Sequence, residues 1–176
     1  MPGNSKLSHK AAWFAVNINF TQYKLKKDLL VDQESIVYGI IKDIAMTPEL
    51  DAQQRRMVNS ACLLDLPQSF DATSPFLCGD MFTLPGLDIF SGSYHTQVIH
   101  FGASYRAVEY EWELWMNKFE ELLKQMYWVS ATVHLETELS GKHTFNWEPT
   151  NVGCHVPNSG DLRVKCEWER EAAFLK

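Results

Sequence analysis

A chain of 176 residues with 45% hydrophobic and 12% aromatic content can bury one sizeable core and is too short to need two. Its formal net charge of -6 leaves no basic stripe to neutralise phosphates, the longest basic run being "KLKK" at Lys24 to Lys27, so nucleic acid is excluded as an expected partner. The same acidic balance favours a basic protein instead.

The first ten residues, "MPGNSKLSHK", are polar and lack the apolar centre of a secretion signal, and no apolar run reaches the length of a membrane span. Residues 1–10 are expected to be disordered, residues 11–176 to form a single domain, and the chain to be cytoplasmic with reduced thiols. "AAWFAVNINF" at 11–20 alternates apolar and polar positions and predicts a half-buried strand. Asp32 is then placed to cap a helix whose stripe is Ile36, Val37, Ile40, Ile41 and Ile44. A second helix starts at Thr47-Pro48, keeps its period through Leu50, Gln54, Met57, Val58 and Ala61 to about Leu64, and is closed by Pro67.

From Gln68 to Tyr94 periodicity fails while Phe70, Phe76, Phe82 and Phe90 recur among Pro, Gly and Ser. A loop of this length either packs as an irregular crossover or forms a binding surface. "TQVIHF" at 96–101 predicts a short strand, with Gly102-Ala103-Ser104 leading into a helix. Val108, Trp112, Trp115, Phe119, Leu122 and Met126 then give the strongest helical period in the chain. Residues 129–139 alternate as a strand. A three-residue turn at 140–142 pairs Leu135 with Trp147 and His134 with Glu148, keeping apolar residues on one face. Leu162, Val164, Cys166 and Trp168 alternate as the last strand of a meander, with Cys166 expected on a buried face. The order β-α-α-loop-β-α-β-β-β predicts an α+β fold with an antiparallel-dominated sheet, helices packed on one face and a C-terminal three-strand meander.

Candidate chemistry is sparse. His134, Glu136 and Glu148 share the polar face of the meander, a grouping suited to a divalent cation or to acid–base work. The plainer reading, a solvated face with cross-strand charge pairs, is the expected one. Cys78 has His95, His100 and His155 as formal candidates for a base, yet no spacing joins them. Four cysteines without a C-x-x-C pair predict neither a disulfide framework nor a metal centre. Glycine-rich phosphate loops and nucleophile elbows are missing, so no cofactor is expected.

One feature resists a purely structural reading. Tyr110 and Leu114 lie off the main stripe of their helix, where the 68–94 loop covers them, another chain does, or they stand exposed as a single scattered pair. With Glu113 and Glu121 they make a candidate partner-binding patch. The expected function is a small, soluble, acidic interaction domain, regulatory or inhibitor-like, without catalysis of its own, that meets a basic protein or a second copy of itself. The alternative is a small-molecule-binding protein or enzyme, with an aromatic pocket of Phe76, Phe82, Phe90, Tyr94 and His95 formed by the 68–94 loop against the sheet.

Overall fold

The elements run β1 (Glu34–Lys42), α1 (Glu49–Leu64), β2 (Phe82–Thr83), β3 (Val98–Arg106), α2 (Trp112–Lys124), β4 (Ser130–Thr137), β5 (Gly141–Pro149) and β6 (Leu162–Glu169). The six strands form one antiparallel sheet in the order β2-β3-β1-β4-β5-β6. The fold is thus α+β with a β4-β5-β6 meander. This computed structural model describes residues 33–44, 49–83, 96–138, 140–150, 153–159 and 162–169. The expected tail at 1–10, the strand at 11–20, the caps at Asp32 and Thr47, and Phe90, Tyr94 and His95 lie outside them. No helix among the described residues is long and apolar enough to cross a membrane.

The helix expected from Ile36 to Ile44 is instead β1, at the centre of the sheet. Ser35, Val37, Gly39 and Ile41 face inward, while Ile36 and Ile40 stay 41% and 37% exposed on the other face. A run of β-branched residues satisfies both periods, but it loses side-chain freedom in a helix and packs readily on a pleated surface. Gly39 has a purpose here: a Cβ added to it would lie 2.7 Å from the Phe101 ring and closer still to the Thr132 carbonyl oxygen. Its bare backbone lets the ring of Phe101, its partner on β3, approach the strand closely.

The strand expected at 96–101 continues through Gly102, Ala103 and Ser104 to Arg106. It ends where Ala107 adopts a left-handed conformation with φ 53° and turns the chain into a 3₁₀ turn, Val108–Glu111, that feeds α2. Helix α2 follows its sequence period closely, burying Trp112, Trp115, Phe119 and Leu122. Trp112 stacks on Trp115 at 4.8 Å, Trp115 on Phe119 at 5.2 Å, and Phe119 meets Trp147 of β5 edge-on at 5.2 Å. Phe101 and Phe145 close the cluster from the sheet side. Each such ring pair adds about 0.5–1.5 kcal/mol beyond the area it buries.

Helix α1 forms where expected but rolls differently. Arg55, Asn59 and Leu63 are buried, whereas Met57 is 56% and Leu64 76% exposed. Arg55 makes a two-pronged, buried ion pair with Asp43 at the end of β1 and lies 4.4 Å from the centre of the Tyr127 ring. Asn59 accepts from the Tyr127 backbone N–H at 2.8 Å and donates to the Tyr127 carbonyl at 2.9 Å and the Gln97 side chain at 3.2 Å. One amide thereby satisfies both backbone groups of a residue that no strand pairs.

The β4–β5 turn is also corrected. Thr137 pairs with Gly141 and Leu135 with His143, so three residues, 138–140, close the hairpin two positions earlier than expected. The Thr137 hydroxyl accepts from the Ser140 N–H at 2.9 Å, and Gly141 takes φ 77°, which glycine adopts without steric cost. Parity is kept, so apolar residues still share a face. The partners change: Val133 meets Phe145, and His134 meets Thr144 rather than Glu148.

Candidate functional site

Outside the core, described side chains gather in three places. The first is the open face of the sheet. Tyr38 donates to Glu136 at 2.6 Å, its ring lies 4.9 Å from that of His134, and His134 Nδ1 meets the Thr144 hydroxyl at 2.9 Å. Lys142 comes within 3.6 Å of Glu136 and sits over the Tyr38 ring. The Tyr38 hydroxyl first, and Glu136 after it, hold that ammonium charged by raising its pKa. Glu148 is not in this group: it opposes Arg163 in the β6 register and binds Lys165 at 2.9 Å. The expected grouping of His134 and Glu136 with Glu148 therefore does not form. What forms is a face of mutually satisfied cross-strand pairs, and no cluster of three metal-ligating side chains occurs among the described residues.

The second is a groove of about 450 Å³ where Phe76, Pro75 and Met81 approach Tyr105 and Arg106 of β3. The Tyr105 hydroxyl donates to the Phe76 carbonyl at 2.5 Å and accepts from Trp115 Nε1 at 2.9 Å. Burial pushes its pKa up to about 12, offset in part by the Trp115 hydrogen bond, which keeps it a neutral structural bridge. Phe82, expected to line a pocket with Phe76, packs at a tilt against Phe101 at 5.1 Å instead and is not among the lining residues. Cys78 is buried along this groove. His100 occupies the opposite sheet face from Phe101 and is exposed. His155 is buried against Trp128, with Nδ1 on the Met126 carbonyl at 2.8 Å. A carbonyl can only accept a hydrogen bond, so Nδ1 is the donor in this contact.

The third place is a groove of about 490 Å³ between the C-terminal end of α1 and α2, walled by the loop that follows α1. Leu66, Leu77, Leu114 and Leu122 supply its apolar surface, and Asp65 and Glu121 supply carboxylates. Leu114 is 54% exposed there. The groove's one lysine among the described lining, Lys118, is already committed: its ammonium donates to the Thr73 carbonyl at 2.6 Å, the Thr73 hydroxyl at 3.0 Å and the Pro75 carbonyl at 2.9 Å. Desolvation lowers its pKa, with Glu111 opposing. Three donors held by three acceptors fix the loop wall to α2 and occupy the hydrogens of the ammonium. At the far end Cys62 Sγ meets the Gln125 carbonyl at 3.3 Å, and burial raises that thiol's pKa, with Asp65 adding to it.

Of the four residues expected to form a partner patch, Leu114 and Glu121 come together in this groove. Glu113 is exposed on α2 but outside the lining, and Tyr110 is half-buried in the 3₁₀ turn. Asp65, Leu77 and Lys118 escaped the sequence reading, since each is ordinary locally and meaningful only once α1 and α2 stand side by side. No protein-family model matches the chain, and neither a curated protein nor a solved structure matches it.

Proposed function

We propose that the chain is an interaction domain that seats an apolar side chain of a partner protein in the α1–α2 groove, with flanking lysine or arginine residues meeting Asp65 and Glu121. The observation that carries this reading is the asymmetry of the groove's charge. Leu114 stands exposed over a floor of buried Leu77 and Leu122, the carboxylates face solvent, and the lysine's hydrogens are taken by the loop. Glu121 does pair with Lys124 at 2.6 Å, but the two side chains are 68% and 42% accessible, and such surface pairs contribute only about 0–1 kcal/mol and exchange readily. An apolar anchor ringed by complementary charge is how a small interface obtains both affinity and selectivity. The chain's net charge of -6 would also steer a basic partner toward it.

A peptide array tests this directly. Twelve-residue peptides carrying one leucine or phenylalanine are flanked by lysine, by serine or by glutamate, and probed with the full chain. Binding is expected to rank lysine over serine over glutamate, and to be lost in Leu114→Arg and weakened in Glu121→Lys. Equal binding across the three flanks, binding indifferent to Leu114→Arg, or no binding to any peptide would overturn the proposal.

A further inference from the structure

We infer that β6 is the interface for a second copy of this chain, pairing antiparallel with its counterpart so that Cys166 faces Cys166 across a two-fold axis. Among the described residues β6 is hydrogen-bonded to β5 on one side and ends the sheet. It runs for eight residues, a length at which an unpaired edge readily templates another strand.

Two independent observations select the occupant. The first is the core's reach. Phe145 and Trp147 on β5 are 2% and 0% exposed beneath α2, but their β6 neighbours on the same face, Cys166 and Val164, are exposed and half-buried respectively. The apolar side of the sheet continues one strand past the helix that covers it. The second is the order of charges on the other face. Arg163 and Lys165 precede Glu167 along the strand, and all three are exposed. An antiparallel copy must pair residues of like parity to keep faces matched. With Cys166 on the axis, Lys165 meets Glu167 of the second copy twice, and position 169, a glutamate in the sequence, falls opposite Arg163. Moving the axis to Lys165 sets lysine against lysine, moving it to Val164 sets Arg163 against Lys165, and moving it to Glu167 sets acid against acid. Parallel pairing in register sets every charge against its like. Among two-fold antiparallel registers centred on positions 163 to 168, this one alone is free of repulsion.

The Lys165 contact to Glu148 at 2.9 Å does not compete, because that pair is exposed, with side chains 57% and 46% accessible, and an ammonium has three hydrogens to share. Single-sign edge charges would keep copies apart; this sequence of signs admits a two-fold antiparallel copy centred on Cys166.

The test is sedimentation equilibrium of the full chain up to about 1 mM, the range in which a small interface shows itself. A dimer is expected. Lys165→Glu and Glu167→Lys should each raise its Kd by about tenfold or more, since each turns two attractions into repulsions. The double exchange Lys165→Glu with Glu167→Lys should restore it, which separates an interface effect from a folding defect. A short bismaleimide, adding one thiol across each of its double bonds, should join Cys166 to Cys166 in the dimer. A chain that stays monomeric at the highest concentration would overturn the inference, as would a dimer indifferent to both reversals, one that the double exchange leaves broken, or a cross-link that maps elsewhere.

Discussion

Helix α2 turns Trp112, Trp115, Phe119, Leu122 and Leu123 to the interior, whereas α1, three residues longer, buries Arg55, Asn59 and Leu63 and leaves Met57 and Leu64 in solvent. The first is held by non-directional burial, to which an apolar stripe is a sufficient guide. The second is positioned by directional bonds to Asp43, Gln97 and the Tyr127 backbone, which override the weaker apolar pattern. Polar anchoring also shapes the surface. It fixes the roll of α1, and so sets the groove that α1 and its following loop form against α2.

Breaking the α2 side should cost most. Phe119→Ala removes a fully buried ring that touches Trp115, Phe101 and Trp147, and should destabilise the fold by about 3–5 kcal/mol in urea denaturation. Arg55→Ala should come close to it, at about 3–4 kcal/mol, because Asp43 is left as a buried, unpaired carboxylate. The contrast sharpens with a double replacement: Asp43→Leu with Arg55→Met should recover most of that loss, whereas no second substitution repairs Phe119→Ala so simply. Asn59→Ala should cost about 2–3 kcal/mol, as it strands the Tyr127 N–H and carbonyl.

A smaller effect is expected at the β4–β5 hairpin. Burial lowers the pKa of His143 from its ordinary 6.5, and its Nε2 meets the Ser140 hydroxyl of the hairpin turn at 2.9 Å. The unfolded chain therefore binds a proton more readily than the folded one. Stability from this group is complete above the unfolded value and is lost as pH falls through the depressed folded value. Thermal melts between about pH 7 and pH 5 should fall less steeply in His143→Gln than in the native chain. Equal slopes would remove His143 from the pH response.

How much of this was legible follows the same division. The α2 stripe and the alternation of Ala131, Val133 and Leu135 report a single apolar face, and the structure buries those residues as read. Ile36 to Ile41 misled because β-branched residues spaced at one and four positions fit a helical stripe, while a central strand with one thinly covered face accepts them equally; Gly39 inside the run was the available signal. The hairpin register slipped by two because parity alone cannot tell which of two polar turns closes it, and the Thr137–Ser140 bonds are local chemistry that face-counting ignores. Cys166 was expected on a buried face; its strand parity is right, but coverage depends on where α2 ends, which no strand sequence states. In the candidate site, Leu114 announced itself by standing off its stripe. Asp65 and Lys118 had no such signature, because proximity across α1, the loop and α2 made them part of a groove.

The most direct test of the groove is a ¹⁵N NMR titration of the full chain with two peptides, one leucine flanked by lysines and the same leucine flanked by glutamates. Shifts confined to residues 62–77 and 114–125, caused by the lysine peptide and abolished in Leu114→Arg without a change in melting temperature, are the predicted result. Shifts centred on Tyr38, His134 and Glu136 of the open sheet face, or identical responses to the two peptides, would contradict it.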